Sequence, residues 1–228
     1  MAAATSLPNS TLVGCGLTME GIHQNYILYQ YFIDQWWNHS TVDKSWHDLV
    51  DVTRQMLVHI ASERILPSLA GAYKAGDASA LQQAAEALSA LMSTLERLLG
   101  SHEAFLLGRW LALAHAKADS SAERRQYRHN ALAQLTTWGP HGYPLDYARK
   151  QWAGLLGHYY APRWRLFSDR LGAALRAGRP FSPSAFDALV YSTIERPFAQ
   201  SSTTFPSTPA GDPVALAKAA WRAYKSLC

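Results

Sequence analysis

Cysteine is scarce in this sequence, which has two in 228 residues, Cys15 and Cys228, near opposite ends of the chain. Two cysteines cannot form a disulfide framework, and these two lack the close spacing of a zinc site. One long-range bridge and two unpaired thiols both remain open, and we expect unpaired thiols. The nine histidines are scattered without an HExxH motif, so we predict no metal and no other cofactor.

Long apolar runs are also missing, because charged residues interrupt every one well short of the roughly 20 residues that a membrane helix needs. The first residues lack the basic and apolar regions of a signal peptide. The sequence as it stands therefore predicts no membrane segment and no leader. Two Asn-X-Ser/Thr sequons, at Asn9 and Asn38, permit a lumenal or secreted location without requiring it.

No stretch of the chain concentrates charge of one sign. The formal net charge of +4 comes from basic residues that are scattered among acidic ones. The densest groups are typical of solvated helix faces rather than of a basic patch that binds nucleic acid. They are Arg124 and Arg125 with Arg128, Arg149 with Lys150, and Arg163 with Arg165. We therefore expect no nucleic-acid partner. With 48% hydrophobic and 17% charged residues, the composition excludes a disordered chain and predicts a globular protein with an ample core.

From Ser45 onward, apolar residues recur at helical spacing, and this pattern predicts an all-α antiparallel bundle of about six or seven helices. One helix is predicted to end at Gly100, and Pro67 and Pro162 are predicted to bend or kink two others. Polar residues at predicted helix starts indicate N-caps at Asp77, Ser120, Ser182 and Asp212, and Ser101 is predicted to open the helix that follows Gly100. The helix after Asp77 has the predicted core stripe Leu81, Ala84, Leu88, Leu91, Met92, Leu95 and Leu98.

The N-terminal residues have a different pattern. Residues 11–17, TLVGCGL, are β-branched and apolar and predict one short buried strand. The strand leads to Glu20 at a strand-to-loop corner, and a helix is predicted over 21–37. A single strand cannot form a sheet alone. We therefore interpret residues 1–45 as the remnant of a larger domain and residues 46–228 as a helical domain.

The stretch 135–164 is rich in aromatic and polar residues around a Trp138-Gly139-Pro140 turn. Flat faces beside hydrogen-bonding groups are typical of the wall of a pocket for a polar ligand. Asp146 is predicted to cap a helix that runs to about Tyr160. For Trp138, helix packing and a place in a pocket wall both remain open. Trp152 and Trp164 lie within predicted helical runs and are predicted to be core residues.

Two regions of the sequence resemble glycoside hydrolase family 89, the α-N-acetylglucosaminidases. The stronger region spans 134–167 and contains QLT-x-WGP, LDYA, KQ, AGL and YY-x-PRW. Supporting pieces are DVTRQ at 51–55, FLLGRWL at 105–111 and GD at 211–212. Together they are similar to the family's helical C-terminal domain, which would extend from about Trp46 to the end of the chain.

The second region, VG-x-G at 13–16 followed by EGI at 20–22, resembles the end of the family's catalytic (β/α)8-type domain. The resemblance implies that Glu20 is the nucleophile, and its predicted place after a strand fits a barrel enzyme. The family hydrolyses terminal α-linked N-acetylglucosamine with retention, as in heparan sulfate breakdown. A lysosomal, vacuolar or secreted location is implied. Retention needs two carboxyl groups about 5 to 5.5 Å apart.

The chain departs from the family pattern in two places. The part that would supply the acid/base glutamate is expected before Met1, and about eight residues separate Trp37 from Trp46 where the family has a longer segment. The resemblance thus implies a C-terminal helical domain that is inactive alone. Its expected partners are an N-acetylglucosaminide glycan and the missing barrel or a partner chain. Three residues of the aromatic stretch are predicted to bind substrate, namely Trp138, Asp146 and Tyr147.

Two other hypotheses remain open for the same residues. The chain could be a free-standing carbohydrate-binding module that uses the aromatic stretch to bind sugar. It could also be a helical scaffold without a ligand, in which the aromatic residues are core residues.

Overall fold

The computed structural model describes residues 46–138, 145–146 and 148–228. Within these ranges the chain forms seven continuous helices. They are α1 (46–75), α2 (Ala78–Leu99), α3 (Leu107–His115), α4 (Ser121–Leu135), α5 (156–176), α6 (183–199) and α7 (Pro213–Tyr224). The only β-pairing in the described ranges is an isolated parallel bridge between Leu106 and Ala153. The predicted all-α bundle is confirmed, whereas the predicted strand, Glu20 and both sequons lie outside the described residues.

Helix starts follow the predicted capping residues. The side chains of Asp77, Ser120, Ser182 and Asp212 each accept a hydrogen bond from a backbone amide two or three residues later. Such a bond satisfies one of the amides that a helix leaves without a partner at its start. These four predicted N-caps are therefore confirmed, whereas the helix predicted to open at Ser101 begins at Leu107 and the N-cap predicted at Asp146 is wrong. Helix α2 ends at Leu99 as predicted, although Gly100 keeps a right-handed backbone with φ −63°.

Three helices contain a π-helical turn just before a proline. The turns are Ala61–Ile65 in α1, Leu156–Tyr160 in α5 and Tyr191–Glu195 in α6, and the proline is the second residue after each turn (Pro67, Pro162 and Pro197). The amide that follows each turn bonds the carbonyl five residues back. A proline ring inside an α-helix clashes with the carbonyl four residues back, and a widened turn makes room for it. The helices thus continue through their prolines.

Helix α2 lies at the centre of the bundle, where it packs against α1, α5 and α7. Its predicted core stripe is confirmed, since all seven side chains are buried. A second cluster joins α3 and α4 to the start of α5 and to Phe198 and Phe205. Burial of these apolar side chains is the main stabilising contribution to the bundle. The clusters meet at residues 152–160, where the chain enters α5.

Gly108 provides a test of this packing. An ideal Cβ at Gly108 would lie 2.5 Å from the backbone oxygen of Phe205, whereas a Cβ at Gly71 in α1 would meet no atom within 4 Å. Gly108→Ala should therefore lower the free energy of unfolding by about 1–3 kcal/mol through overpacking. Gly71→Ala should leave it unchanged or raise it by up to about 1 kcal/mol. Urea denaturation followed by circular dichroism measures both, and equal effects would contradict the close approach.

Candidate functional site

The segment that links α4 to α5, residues 136–154, contains the backbone strain of the described structure. We call it the connecting segment. Trp138, Asp146 and Arg149 have φ values of 42°, 54° and 41°, and they are the non-glycine residues with positive φ in the described ranges. This left-handed region costs most residues of order 1–3 kcal/mol, and such strain is concentrated at functional sites. The connecting segment is therefore the candidate functional site.

A backbone hydrogen bond joins Asp146 to Thr136 at the end of α4. Thr136 ends α4, is fully buried and donates its hydroxyl to the carbonyl of Leu132 at 2.8 Å. Its own carbonyl accepts the amide of Asp146 at 2.7 Å, so Asp146 lies against the end of α4. The amide of Trp138 donates to the carbonyl of Ala133 at 2.6 Å, and its side chain is 49% exposed. The indole of Trp138 is thus half exposed, close in the chain to the residue that bonds Asp146.

The predicted helix from Asp146 to Tyr160 is wrong. Asp146 has a left-handed backbone, and α5 begins with its π turn at Leu156. The cause is a backbone contact that local pattern does not reveal. The amide of Ala153 donates to the carbonyl of Phe105 at 2.8 Å, and the carbonyl of Ala153 accepts the amide of Leu107 at 3.1 Å. These bonds hold the chain extended before α5, because a helix cannot offer the same groups to a distant segment.

Arg163 of α5 holds Asp146. Its Nη1 lies 2.5 Å from Oδ2 of Asp146, and its Nε lies 2.8 Å from Oε1 of Glu195 in α6. The guanidinium carbon is 4.8 Å from the centre of the Tyr159 ring, a cation–π arrangement. Glu195 is 1% exposed, and burial raises the pKa of its carboxyl group while Arg163 opposes that rise. Burial also raises the pKa values of Tyr159 and Tyr160, so both phenols stay neutral.

Arg54 of α1 holds the other end of the segment in the same manner. Its Nε donates to Oδ1 of Asp51 at 2.8 Å, and its Nη1 donates to Oε1 of Gln151. Asp51 is fully buried, and its Oδ2 accepts a hydrogen bond from the side-chain Nε2 of Gln55 at 2.8 Å. A buried carboxylate requires such partners, because an unpaired charge is strongly disfavoured away from water. The DVTRQ sequence therefore serves to attach the connecting segment to α1.

Glu96 of α2 accepts two backbone hydrogen bonds at the start of α5. Its Oε1 accepts the amide of Gly154 at 2.6 Å, and its Oε2 accepts the amide of Gly157 at 2.9 Å. Burial raises the pKa of this carboxyl group, and the two amides lower it in part. Gly154 has φ 92°, which favours glycine. The acid thus satisfies two amides that have no helical partner at the start of α5.

The raised pKa of Glu96 has a definite consequence for stability. Because the folded state holds the proton more tightly, the carboxyl group contributes most below its ordinary pKa of 4.5, and its contribution falls as the pH rises through the folded-state value. The difference in unfolding free energy between the wild type and Glu96→Gln should therefore shrink above about pH 4.5. Urea denaturation across pH 4 to 8 measures it. Glu86→Gln, at an exposed position of α2, is the control, and a constant difference for Glu96→Gln would contradict the expectation.

An apolar cavity lies beside the connecting segment. It has a volume of about 460 Å³ and lies between α1, α2 and α5. Most of its lining is aliphatic or aromatic, and the charged or amide side chains that line it are Asp146, Arg149, Gln151 and Arg163. Trp138 does not line this cavity.

The described ranges add two observations about other kinds of site. They contain no group of three or more His, Cys, Asp or Glu side chains placed to bind a metal ion. None of their helices is long and apolar enough to cross a membrane.

Two of the four residues predicted for the site are placed close together. The Asp146 amide bonds the carbonyl of Thr136, two residues before Trp138. Tyr147 and Glu20 lie outside the described residues. Trp152 and Trp164 pack against the core clusters as predicted.

The residues that hold the segment were not predicted as site residues. Arg163, Glu195, Arg54 and Glu96 are brought together with it by tertiary contacts. The nearest signal in the sequence is a proline beside two of them, since Pro162 precedes Arg163 and Pro197 follows Glu195 by two residues. A proline within a helical pattern predicts a change of helix geometry but does not identify a partner.

Comparisons with known proteins agree with this architecture. The family model for the alpha-N-acetylglucosaminidase (NAGLU) C-terminal domain matches residues 28–222. The chain belongs to this family. The model for the alpha-N-acetylglucosaminidase tim-barrel domain matches residues 1–39, so the N-terminal end of this family member resembles the end of a barrel. The family that the residues themselves indicated is confirmed, and so is the expectation of a helical C-terminal domain.

A human relative and solved bacterial structures are similar to this chain over most of its length. Human alpha-N-acetylglucosaminidase is 38% identical over 207 residues, which cover 83% of this chain and 28% of the human protein. A family 89 glycoside hydrolase from Clostridium perfringens is 25% identical with a TM-score of 0.69, in a complex with 2-acetamido-1,2-dideoxynojirimycin. A variant bound to GlcNAc-α-1,4-galactose has a TM-score of 0.68. Each structure covers 78% of this chain and is itself covered to 21%. The chain thus spans less than a third of the length of these relatives.

These matches favour the first of the three hypotheses, a helical domain of an α-N-acetylglucosaminidase. The domain boundary at residues 45 and 46 and the roles of individual site residues stay predictions.

Proposed function

We propose that residues 46–228 form one wall of the sugar pocket of an α-N-acetylglucosaminidase, and that a catalytic barrel forms the other wall. The observation that carries the proposal is the strained connecting segment, which exposes Trp138 in a chain of this family. An exposed indole offers a flat apolar face to the C–H groups of a pyranose ring, and its N–H is a hydrogen-bond donor.

The predicted substrate-binding residues have different parts in this proposal. Trp138 supplies an aromatic surface toward the sugar, and Tyr147 stays a predicted substrate-binding residue. Asp146 has one carboxylate oxygen bound to Arg163, so it supports that surface from the protein side. The substrate is terminal α-linked N-acetylglucosamine of a heparan-sulfate-type glycan, and the location is lysosomal, vacuolar or secreted. These assignments rest on the family and on the relatives named above.

Glu20 is the proposed nucleophile, and it lies in the part of the chain that the barrel-domain model matches. In a retaining mechanism its carboxylate attacks the anomeric carbon while a second carboxylic acid protonates the leaving oxygen. Water then releases the sugar with the second group acting as base. The second carboxyl group is expected from the barrel, so the 228 residues supply one half of the pair.

The purified chain should therefore release no N-acetylglucosamine from an aryl α-N-acetylglucosaminide. General acid assistance alone typically gives about 10²–10⁴-fold, and the barrel that holds the sugar is also needed. Release of the aryl group, measured by absorbance, checks this expectation. Clear turnover that Glu20→Gln abolishes would show a complete site in this chain and overturn the division into two walls.

The role of Trp138 can be tested in a hybrid enzyme, in which residues 46–228 replace the corresponding domain of the human relative. Trp138→Ala should lower kcat/KM on the aryl glycoside by about 10–100-fold, because a stacking surface of the pocket is lost. Trp221→Ala is the matched control, since Trp221 of α7 is 53% exposed and Trp138 is 49% exposed. Equal kcat/KM values for the two variants would contradict the proposal that Trp138 lines the pocket.

A further inference from the structure

Arg163 joins the connecting segment to two helices at one point. The guanidinium belongs to α5, and it contacts Asp146 of the segment at 2.5 Å and Glu195 of α6 at 2.8 Å. The contacts use different nitrogens: Nη1 donates a hydrogen bond to Asp146, and Nε forms an ion pair with Glu195. The guanidinium carbon lies over the ring of Tyr159. An arginine with three such partners has less freedom to turn than one in an exposed ion pair.

The backbone of Asp146 requires such support. Its φ of 54° lies in the left-handed region, and its amide and carbonyl bond Thr136 and Arg149 respectively. A non-glycine residue keeps this conformation only where its surroundings determine it. Arg163 donates a hydrogen bond to the carboxylate of Asp146, and the hydroxyl of Tyr159 interacts with the same carboxylate. The Thr136 bond joins Asp146 to the chain two residues before Trp138.

The π turns before two prolines affect where Arg163 and Glu195 point. Arg163 follows the π turn Leu156–Tyr160 and Pro162, while Glu195 ends the π turn Tyr191–Glu195 before Pro197. A π turn inserts one residue into a helix and rotates the following side chains by about 100° around its axis. Both charged groups therefore depend on a local change of helix geometry, which is a recurrent feature of functional sites.

We propose that Arg163, oriented by Glu195, is a positioning residue that holds Asp146 in its left-handed conformation and thereby places Trp138 at the sugar-facing surface. The claim that the surface at Trp138 faces a sugar rests on the proposed function. The positioning of Asp146 and Trp138 rests on the geometry alone. A purely structural ion pair would stabilise the whole bundle and would leave the segment unchanged in a folded variant.

The test uses the full 228-residue chain and two readouts. Hydrogen exchange reports on the amides of Trp138, Asp146 and Arg149, whose bonds close the segment. Fluorine NMR of protein labelled with 5-fluorotryptophan reports on the Trp138 ring, and Trp138→Phe assigns its resonance. In Arg163→Gln we expect the three amides to exchange about tenfold faster or more while the α2 amides keep their protection. We also expect the Trp138 resonance to move or broaden while that of Trp110 stays in place.

Matched variants separate the positioning role from other effects. Arg165→Gln, an exposed position two residues further along α5, should leave both readouts unchanged. Arg163→Lys keeps the charge but lacks the planar guanidinium that contacts both carboxylates. The segment amides of this variant should therefore exchange as fast as those of Arg163→Gln. Glu195→Gln should show the same change as Arg163→Gln at the segment.

Asp146→Asn keeps the test decisive if Arg163→Gln does not fold. Asparagine tolerates the left-handed region at least as well as aspartate, so faster exchange in this variant reports the lost contact with Arg163 rather than backbone strain. A folded Arg163→Gln or Asp146→Asn variant with wild-type exchange and an unmoved Trp138 resonance would overturn the proposal, as would equally faster exchange in the segment and in α2.

The hybrid enzyme distinguishes this proposal from the proposed function. If the segment loosens in Arg163→Gln while Trp138→Ala leaves kcat/KM unchanged, the positioning role stands and the sugar-facing role of Trp138 is overturned. If Trp138→Ala lowers kcat/KM while the Arg163→Gln segment keeps its exchange rates, the sugar-facing role stands and the positioning role is overturned.

Discussion

The connecting segment has to satisfy its backbone hydrogen-bonding groups without a helix or a sheet of its own. An amide or carbonyl that is buried without a partner costs free energy comparable to a lost hydrogen bond. The segment therefore uses partners from several elements: the carbonyl of Thr136 at the end of α4, the backbone of Phe105 and Leu107 beside α3, and the carboxylate of Glu96 in α2. Its path depends on the placement of all these helices at once.

A similar arrangement occurs at two places along the segment. Arg163 lies between Glu195 and Asp146, and Arg54 lies between Asp51 and Gln151. In each case an arginine joins a fully buried carboxylate of a helix to a polar side chain of the segment. Arginine suits this task because its planar guanidinium remains charged and offers donors along separate edges. The helical core and the strained segment are thus connected by side-chain charge as well as by backbone bonds.

Helix starts and the core stripe of α2 could be predicted because both depend on residues close together in the chain. A capping oxygen reaches an amide two or three residues away, and apolar residues three or four apart share one helix face. The helix predicted after Asp146 failed for the opposite reason. Its sequence has helical spacing, but the bonds of Ala153 to residues almost fifty positions earlier hold it extended. Tertiary contacts override weak local preference in such cases.

The sequence by itself determined the all-α class, the ends of most helices, the family, and the importance of residues 135–164. Each follows from local periodicity, capping chemistry or the residues of the aromatic stretch. Only the tertiary structure decided that Trp138, Asp146 and Arg149 are strained and which side chains hold them. The physical reason is that a contact such as Arg163 with Glu195 joins residues that share no local pattern, so the packed helices alone bring them within 2.8 Å.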